Sequence, residues 1–118
     1  MSKIKRVVIV GGTHGNELTG IYLVKKFEQK PKLIQRLSFE TRTLVANPKA
    51  YQIGKRYVDT DLNRCFQRSC LQNPSLLSYE EQRAKAIYLT FGTGGSLQAD
   101  FGNIQFWQKH SNSQEKHI

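Results

Sequence analysis

A run of four β-branched residues, Val7-Val8-Ile9-Val10, ends abruptly at Gly11-Gly12. Branched side chains in succession favour a strand, and an unbroken apolar run reads as a strand buried on both faces. Strands of that kind belong to parallel sheets covered by helices. The next residues carry a helical period. Leu18, Ile21, Tyr22, Val24 and Phe27 form one stripe between about Asn16 and Phe27, Lys25 and Lys26 sit near its C-terminal end, and Pro31 marks the exit. A second strand is expected within Phe39 to Ala46, where Thr41, Thr43 and Val45 alternate with Arg42 and Leu44 until Asn47-Pro48 stops it. Strand, helix, strand implies a right-handed crossover and an α/β fold with helices flanking the sheet.

The rest of the chain divides into three. Residues from Tyr51 to Pro74 read as largely irregular, and a connection that long in a compact domain is more often functional than idle. Ser78 then opens a helix, with Ser78 and Glu81 as a capping box and Gly92 as the stop. Beyond Gly102 the residues are almost wholly polar, so 102–118 is expected to be a disordered tail behind a domain spanning 1–101. A length of 118 residues allows one domain with a real core, and no internal repeat is visible.

Eighteen Lys and Arg against nine Asp and Glu give a net charge of +9, which favours acidic partners. The basic residues are scattered, with short pairs at Lys5-Arg6, Lys25-Lys26 and Lys55-Arg56, and no nucleic-acid motif accompanies them. A basic nucleic-acid binder therefore ranks last among the readings. Cys65 and Cys70 stand without further Cys or His ligands nearby, so they read as free thiols of a reducing compartment rather than a zinc knuckle. The only N-terminal apolar run is four residues long, too short for a signal sequence or a membrane span. The expectation is a cytoplasmic protein that uses neither membrane nor nucleic acid; the sequence leaves an oligomer open.

Two constellations could carry chemistry. The first is Gly11-Gly12-Thr13-His14-Gly15-Asn16-Glu17, at the strand-to-helix turn where ligands bind in open α/β sheets. His14 and Glu17, three residues apart, fall on one side of a helical turn and could share a zinc ion. A dinucleotide fingerprint or a phosphate-binding P-loop would need glycine and lysine placements that are absent. An exposed, capped helix start remains an equal alternative for the pair taken alone. The second is the stretch from Lys55 to Arg64. Arg56 and Arg64, with Asn63, could clamp a dicarboxylate through flat donor forks, or the arginines could simply pair with Asp59 and Asp61.

Together the motifs resemble a known family. Gly11-Gly12-Thr13-His14-Gly15-Asn16-Glu17, Asn47-Pro48, Asp61-Leu62-Asn63-Arg64 and Tyr79-Glu80-x-x-Arg83-Ala84 follow the aspartoacylase and succinylglutamate desuccinylase family of zinc hydrolases in type, order and spacing. The string Arg56-Tyr57-Val58-Asp59-Thr60-Asp61 resembles its aspartoacylase branch. The resemblance implies the N-terminal part of a zinc-carboxypeptidase-like fold, a mixed sheet with flanking helices. It implies one zinc per subunit, held by His14 and Glu17, and a small acidic substrate bound by Arg56, Asn63 and Arg64, with Arg56 nearest the acyl carbonyl. The implied activity is hydrolysis of an N-acyl amino acid, N-acetyl-L-aspartate to acetate and L-aspartate.

The chain also departs from that pattern. The family's third zinc ligand lies in an Asp-Leu-His segment shortly after the position of Phe101, and no Asp-Leu-His occurs here. The general-base Glu lies further along in the family. The expectation is therefore a C-terminally truncated hydrolase, the product of a frameshift or premature stop, with impaired turnover. The alternative is a non-catalytic fragment or carboxylate-binding module.

Overall fold

The computed structural model describes residues 4–75 and 78–100. The expected disordered tail at 102–118 lies outside them. The first strand, β1 (Arg6–Gly11), leads through a tight turn into helix α1 (Leu18–Gln29). A short 3-10 turn at Pro31–Leu33 follows, then β2 (Glu40–Val45). The two strands pair in parallel, from Arg6 opposite Glu40 to Gly11 opposite Val45. After β2 come α2 (Pro48–Gln52), a 3-10 turn at Leu62–Phe66, α3 (Arg68–Leu71) and α4 (Tyr79–Phe91).

Side-chain alternation along β1 decides the layers. Val8 and Val10 point to one face and join a core with Ala46, Leu62, Cys65, Ala84, Ile87 and Ala99. Ile21 and Val24 of α1 are buried outside that cluster, against the opposite face. The expectation of a strand buried on both faces holds only in part. Val7 and Ile9 are half-buried, because α1 brings just Ile21 and Val24 fully under cover.

Helix α1 also starts later than its apolar period implied. Glu17 occupies the N-cap position but makes no side-chain cap bond. Its Oε1 instead accepts the His14 backbone N–H at 2.8 Å, so Asn16 and Glu17 belong to the turn. The Ser78 half of the expected capping box is present, its Oγ accepting the Glu81 N–H at 3.1 Å. Gly92 ends α4, its N–H donating to the Tyr88 carbonyl at 2.8 Å. The stretch expected to be irregular contains the end of α2, the Leu62–Phe66 turn and α3, elements too short to show a period.

Past α4 the chain returns to the edge of β1 away from β2. Asp100 Oδ2 accepts the N–H of Lys5 at 2.8 Å and of Arg6 at 2.7 Å, and the Asp100 N–H donates to the Arg6 carbonyl at 3.1 Å. Among the described residues no helix is long and apolar enough to cross a membrane.

Candidate functional site

Because β1 and β2 are parallel, the segments leaving their C-terminal ends emerge side by side. Gly12 turns with φ of 69°, a left-handed conformation that glycine adopts without strain. The Gly11 and Gly12 carbonyls accept N–H bonds from Ala46 and Asn47 at 2.9 and 3.0 Å, which ties the first turn to the exit of β2. Thr13 and His14 are thereby carried into the interior.

His14 is fully buried, and its ring lies between two carboxylates. Nδ1 is 3.2 Å from Glu17 Oε1, and Nε2 is 2.8 Å from Asp61 Oδ1. Burial alone would lower its pKa, but hydrogen bonds and charge from Glu17 and Asp61 outweigh that and raise it from 6.5 to about 9. Burial likewise pushes the Asp61 carboxyl up, yet His14, the Asn63 N–H and Arg56 together hold it below its ordinary value. Asp61 Oδ2 stands 3.7 Å from Arg56 Nη2, and Asp61 Oδ1 accepts the Asn63 N–H at 3.0 Å.

Of the residues singled out by sequence, His14 and Arg56 thus meet at Asp61, while Glu17 lies against the other nitrogen of the His14 ring. Asn63 joins through its backbone and is half-buried. Arg64 donates its N–H to the Asp61 carbonyl at 3.1 Å and leaves its side chain exposed. The ion-pair alternative for the arginines is realised at Arg56, but the carboxylate it meets is also the one that holds His14.

The donor set can be tested against zinc. Two ligand atoms on one tetrahedral zinc, each bonded at about 2.0 Å, lie roughly 3.3 Å apart. The His14 Nδ1 to Glu17 Oε1 gap of 3.2 Å fits that spacing. Asp61 sits on the other ring nitrogen, where a carboxylate orients a metal-binding imidazole without touching the metal. The two carboxylates do not converge, and among the described residues no group of three His, Cys, Asp or Glu side chains could hold an ion.

The loop bearing Arg56 and Asp61 is held by a residue to which sequence reasoning gave no role. Glu80 of α4 is fully buried. One oxygen accepts Asn47 Nδ2 and the Val58 N–H, each at 2.8 Å. The other accepts the Asp59 and Thr60 N–H groups at 2.8 and 3.0 Å. Burial pushes its pKa up, and the donors from Thr60, Val58, Asn47 and Asp59 together pull it below the ordinary value of 4.5. Arg83, one turn on, donates through Nε to the Ala46 carbonyl at 2.7 Å and through Nη2 to the Val45 carbonyl at 3.0 Å. A signal for Glu80 existed in the sequence: it shares a helical stripe with Ala84 and Ile87, so an acid stands on the buried face. Asp61 carried no comparable mark, since its partner lies 47 residues away.

A crystal structure of murine aminoacylase 3 superposes with a TM-score of 0.76 at 36% identity, over 85% of this chain and 34% of that one. Succinylglutamate desuccinylase from Chromobacterium violaceum gives 0.58 at 28% identity, over 72% of this chain and 27% of that one. The described fold is thus the N-terminal part of a zinc-carboxypeptidase-like fold. Residues 3–102 match the succinylglutamate desuccinylase/aspartoacylase catalytic domain, and the chain belongs to that family. A probable aspartoacylase of Trichodesmium erythraeum is 57% identical over 101 residues, covering 86% of this chain and 34% of that protein. The aspartoacylase of Xenopus tropicalis is 45% identical over 101 residues, covering 84% and 32% respectively. The chain spans about a third of the length of the relatives it matches.

Proposed function

We propose that the chain carries the metal-binding turn and substrate loop of a zinc-dependent amidohydrolase acting on N-acyl amino acids, with N-acetyl-L-aspartate as substrate. The observation that supports this most is the His14 ring held between Glu17 and Asp61, with Arg56 beside the same Asp61. His14 and Glu17 would hold the zinc, which when bound supplies a Lewis acid for the acyl carbonyl and lowers the pKa of water. Asp61 fixes the imidazole so that Nδ1 faces Glu17. Arg56 offers a charged donor for the carbonyl oxygen as negative charge develops there. Asn63 and the exposed Arg64 receive the carboxylates of the amino-acid part, for which a guanidinium fork is suited.

Equilibrium dialysis of the purified chain should find one zinc per molecule, removable by chelator. Calorimetry of the zinc-loaded chain should then detect N-acetyl-L-aspartate, weakened about tenfold by Arg64→Ala through loss of a charge-assisted hydrogen bond. Ligand binding without retained zinc would leave a carboxylate-binding module and refute the metal assignment. Absence of both would refute the whole reading. Chelator-sensitive release of L-aspartate is the corresponding activity measurement.

Asp61→Asn tests the orienting role separately. The amide can still accept a hydrogen bond but carries no charge, so zinc affinity should fall about 10- to 100-fold. Unchanged affinity in the same dialysis experiment would remove Asp61 from the site.

A further inference from the structure

Cys65 and Cys70 take no part in the site as described so far, yet they adjoin it. Cys65 lies in the Leu62–Phe66 turn and Cys70 in α3, with Gln67 between the two elements in an extended conformation at φ −66° and ψ 146°. That extended residue breaks the helical register and lets α3 fold back, the Cys70 N–H donating to the Gln67 carbonyl at 3.0 Å. Both side chains pack in the same core. Cys70 comes five residues after Cys65 and packs against the cluster to which Cys65 belongs. Both are reduced; Cys65 is buried and Cys70 half-buried. The Cys65 thiol also donates to the Asp61 carbonyl at 3.4 Å, the oxygen that accepts the Arg64 N–H at 3.1 Å.

We propose that Cys65 and Cys70 form a reversible intrachain disulfide when oxidised by a small-molecule disulfide such as oxidised glutathione, and that closing it loosens the turn carrying Asp61, Asn63 and Arg64. The half-buried Cys70 is the entry point. Its thiolate attacks one sulfur of glutathione disulfide, breaks that bond and releases one glutathione thiolate. Cys65 sulfur then attacks the Cys70 sulfur of the mixed disulfide, forming the intrachain bond and releasing the second glutathione thiolate. Two protein thiols are oxidised, one glutathione disulfide is reduced to two glutathiones, and the two protons end on the released thiolates. Burial pushes the Cys65 thiol up to about 12, which makes the second step the slow one.

Oxidation reaches the site through a lost donor. Sulfur bonded to sulfur has no proton to give, so the Asp61 carbonyl keeps the Arg64 N–H but loses the Cys65 thiol. Bringing the sulfurs to about 2.05 Å also draws Cys65 toward α3. This disulfide chemistry does not depend on the metal assignment above.

The test is to incubate the intact chain with oxidised glutathione, quench with acid, alkylate, digest with trypsin and weigh the peptides. Arg68 lies between the two cysteines, so an intrachain bond joins two separate tryptic peptides, 65–68 and 69–83. That linked pair is the expected main product, and dithiothreitol should release it. Cys70→Ser should abolish both the linkage and glutathione uptake, while Cys65→Ser should stop at a stable glutathione adduct on Cys70. Hydrogen exchange at the Arg64 amide should rise about two- to fivefold in the oxidised protein, the range expected for losing a weak S–H···O contact. A wild-type protein that ends as the Cys70 adduct, or that links only between chains, overturns the proposal. An unchanged Arg64 exchange rate in the fully closed disulfide overturns its coupling to the site. Cys65→Ser places a hydroxyl in the core, so the wild-type product and Cys70→Ser decide the matter if that variant fails to fold.

Discussion

Replacing Glu80 with glutamine is expected to lower the unfolding free energy by about 3–5 kcal/mol, a large share of the roughly 5–15 kcal/mol that holds a domain together. The substitution is nearly isosteric, so packing is preserved and hydrogen-bond polarity is isolated. In the native protein both carboxylate oxygens accept, and every partner named for them is an N–H donor: Asn47, Val58, Asp59 and Thr60. A glutamine amide group must turn its own N–H donors toward one pair, leaving buried donors facing donors. Urea denaturation followed by circular dichroism gives the measurement, and a loss below about 1 kcal/mol would contradict this role. The pH dependence has a definite sign. Glu80 has its pKa lowered by folding, so its contribution is present above the unfolded value of 4.5 and is lost as pH falls through the folded value. Glu80→Gln should remove that portion of the acid sensitivity.

Gly15→Ala should disrupt the site from the opposite side, destabilising the protein by about 3 kcal/mol or more. A Cβ at Gly15 would lie 2.3 Å from both the Ala50 carbonyl carbon and the Lys55 oxygen, and 2.5 Å from the Tyr51 nitrogen. All three are backbone atoms, so no side-chain rotation relieves the clash. The first turn and the loop bearing Arg56 must separate, and the 2.9 Å bond from the Gly15 N–H to the Arg56 carbonyl must stretch. The His14 to Asp61 contact spans that same seam. Thermal unfolding and amide NMR shifts at residues 14, 56 and 61 would register the change. A melting temperature within about 2 °C of wild type, with those shifts unmoved, would show that the seam is more compliant than its distances imply.

Sequence legibility followed the range of each interaction. The β-branched run, the helical stripe and the Ser78–Glu81 box are local patterns, and they correspond to β1, α1 and the start of α4. The His14–Glu17 pair was visible for the same reason, with both residues in one turn. Asp61 appeared only as a motif letter or as a surface partner for arginine. Its grip on His14 depends on two loops leaving neighbouring parallel strands, which no local period encodes. Glu80 falls between these cases. Its place on the Ala84–Ile87 stripe was legible as an anomaly, whereas its four donors were not, because three come from a loop without regular structure. The apolar strand misled in one respect, since its composition promised two covered faces and α1 covers one of them sparsely.

The clasp between Asp100 and the amides of Lys5 and Arg6 has a topological consequence. The segment from Lys5 to Asp100 closes on itself as a ring whose seam is non-covalent. Covalent order is then only a record of where the ring is cut. A peptide bridge joining those ends, with new termini opened at the fully exposed Leu37, would put β2 before β1 in the gene and leave both parallel neighbours in place. Circular permutation would thus preserve the architecture that brings His14 to Asp61 while reversing the order in which their strands are synthesised.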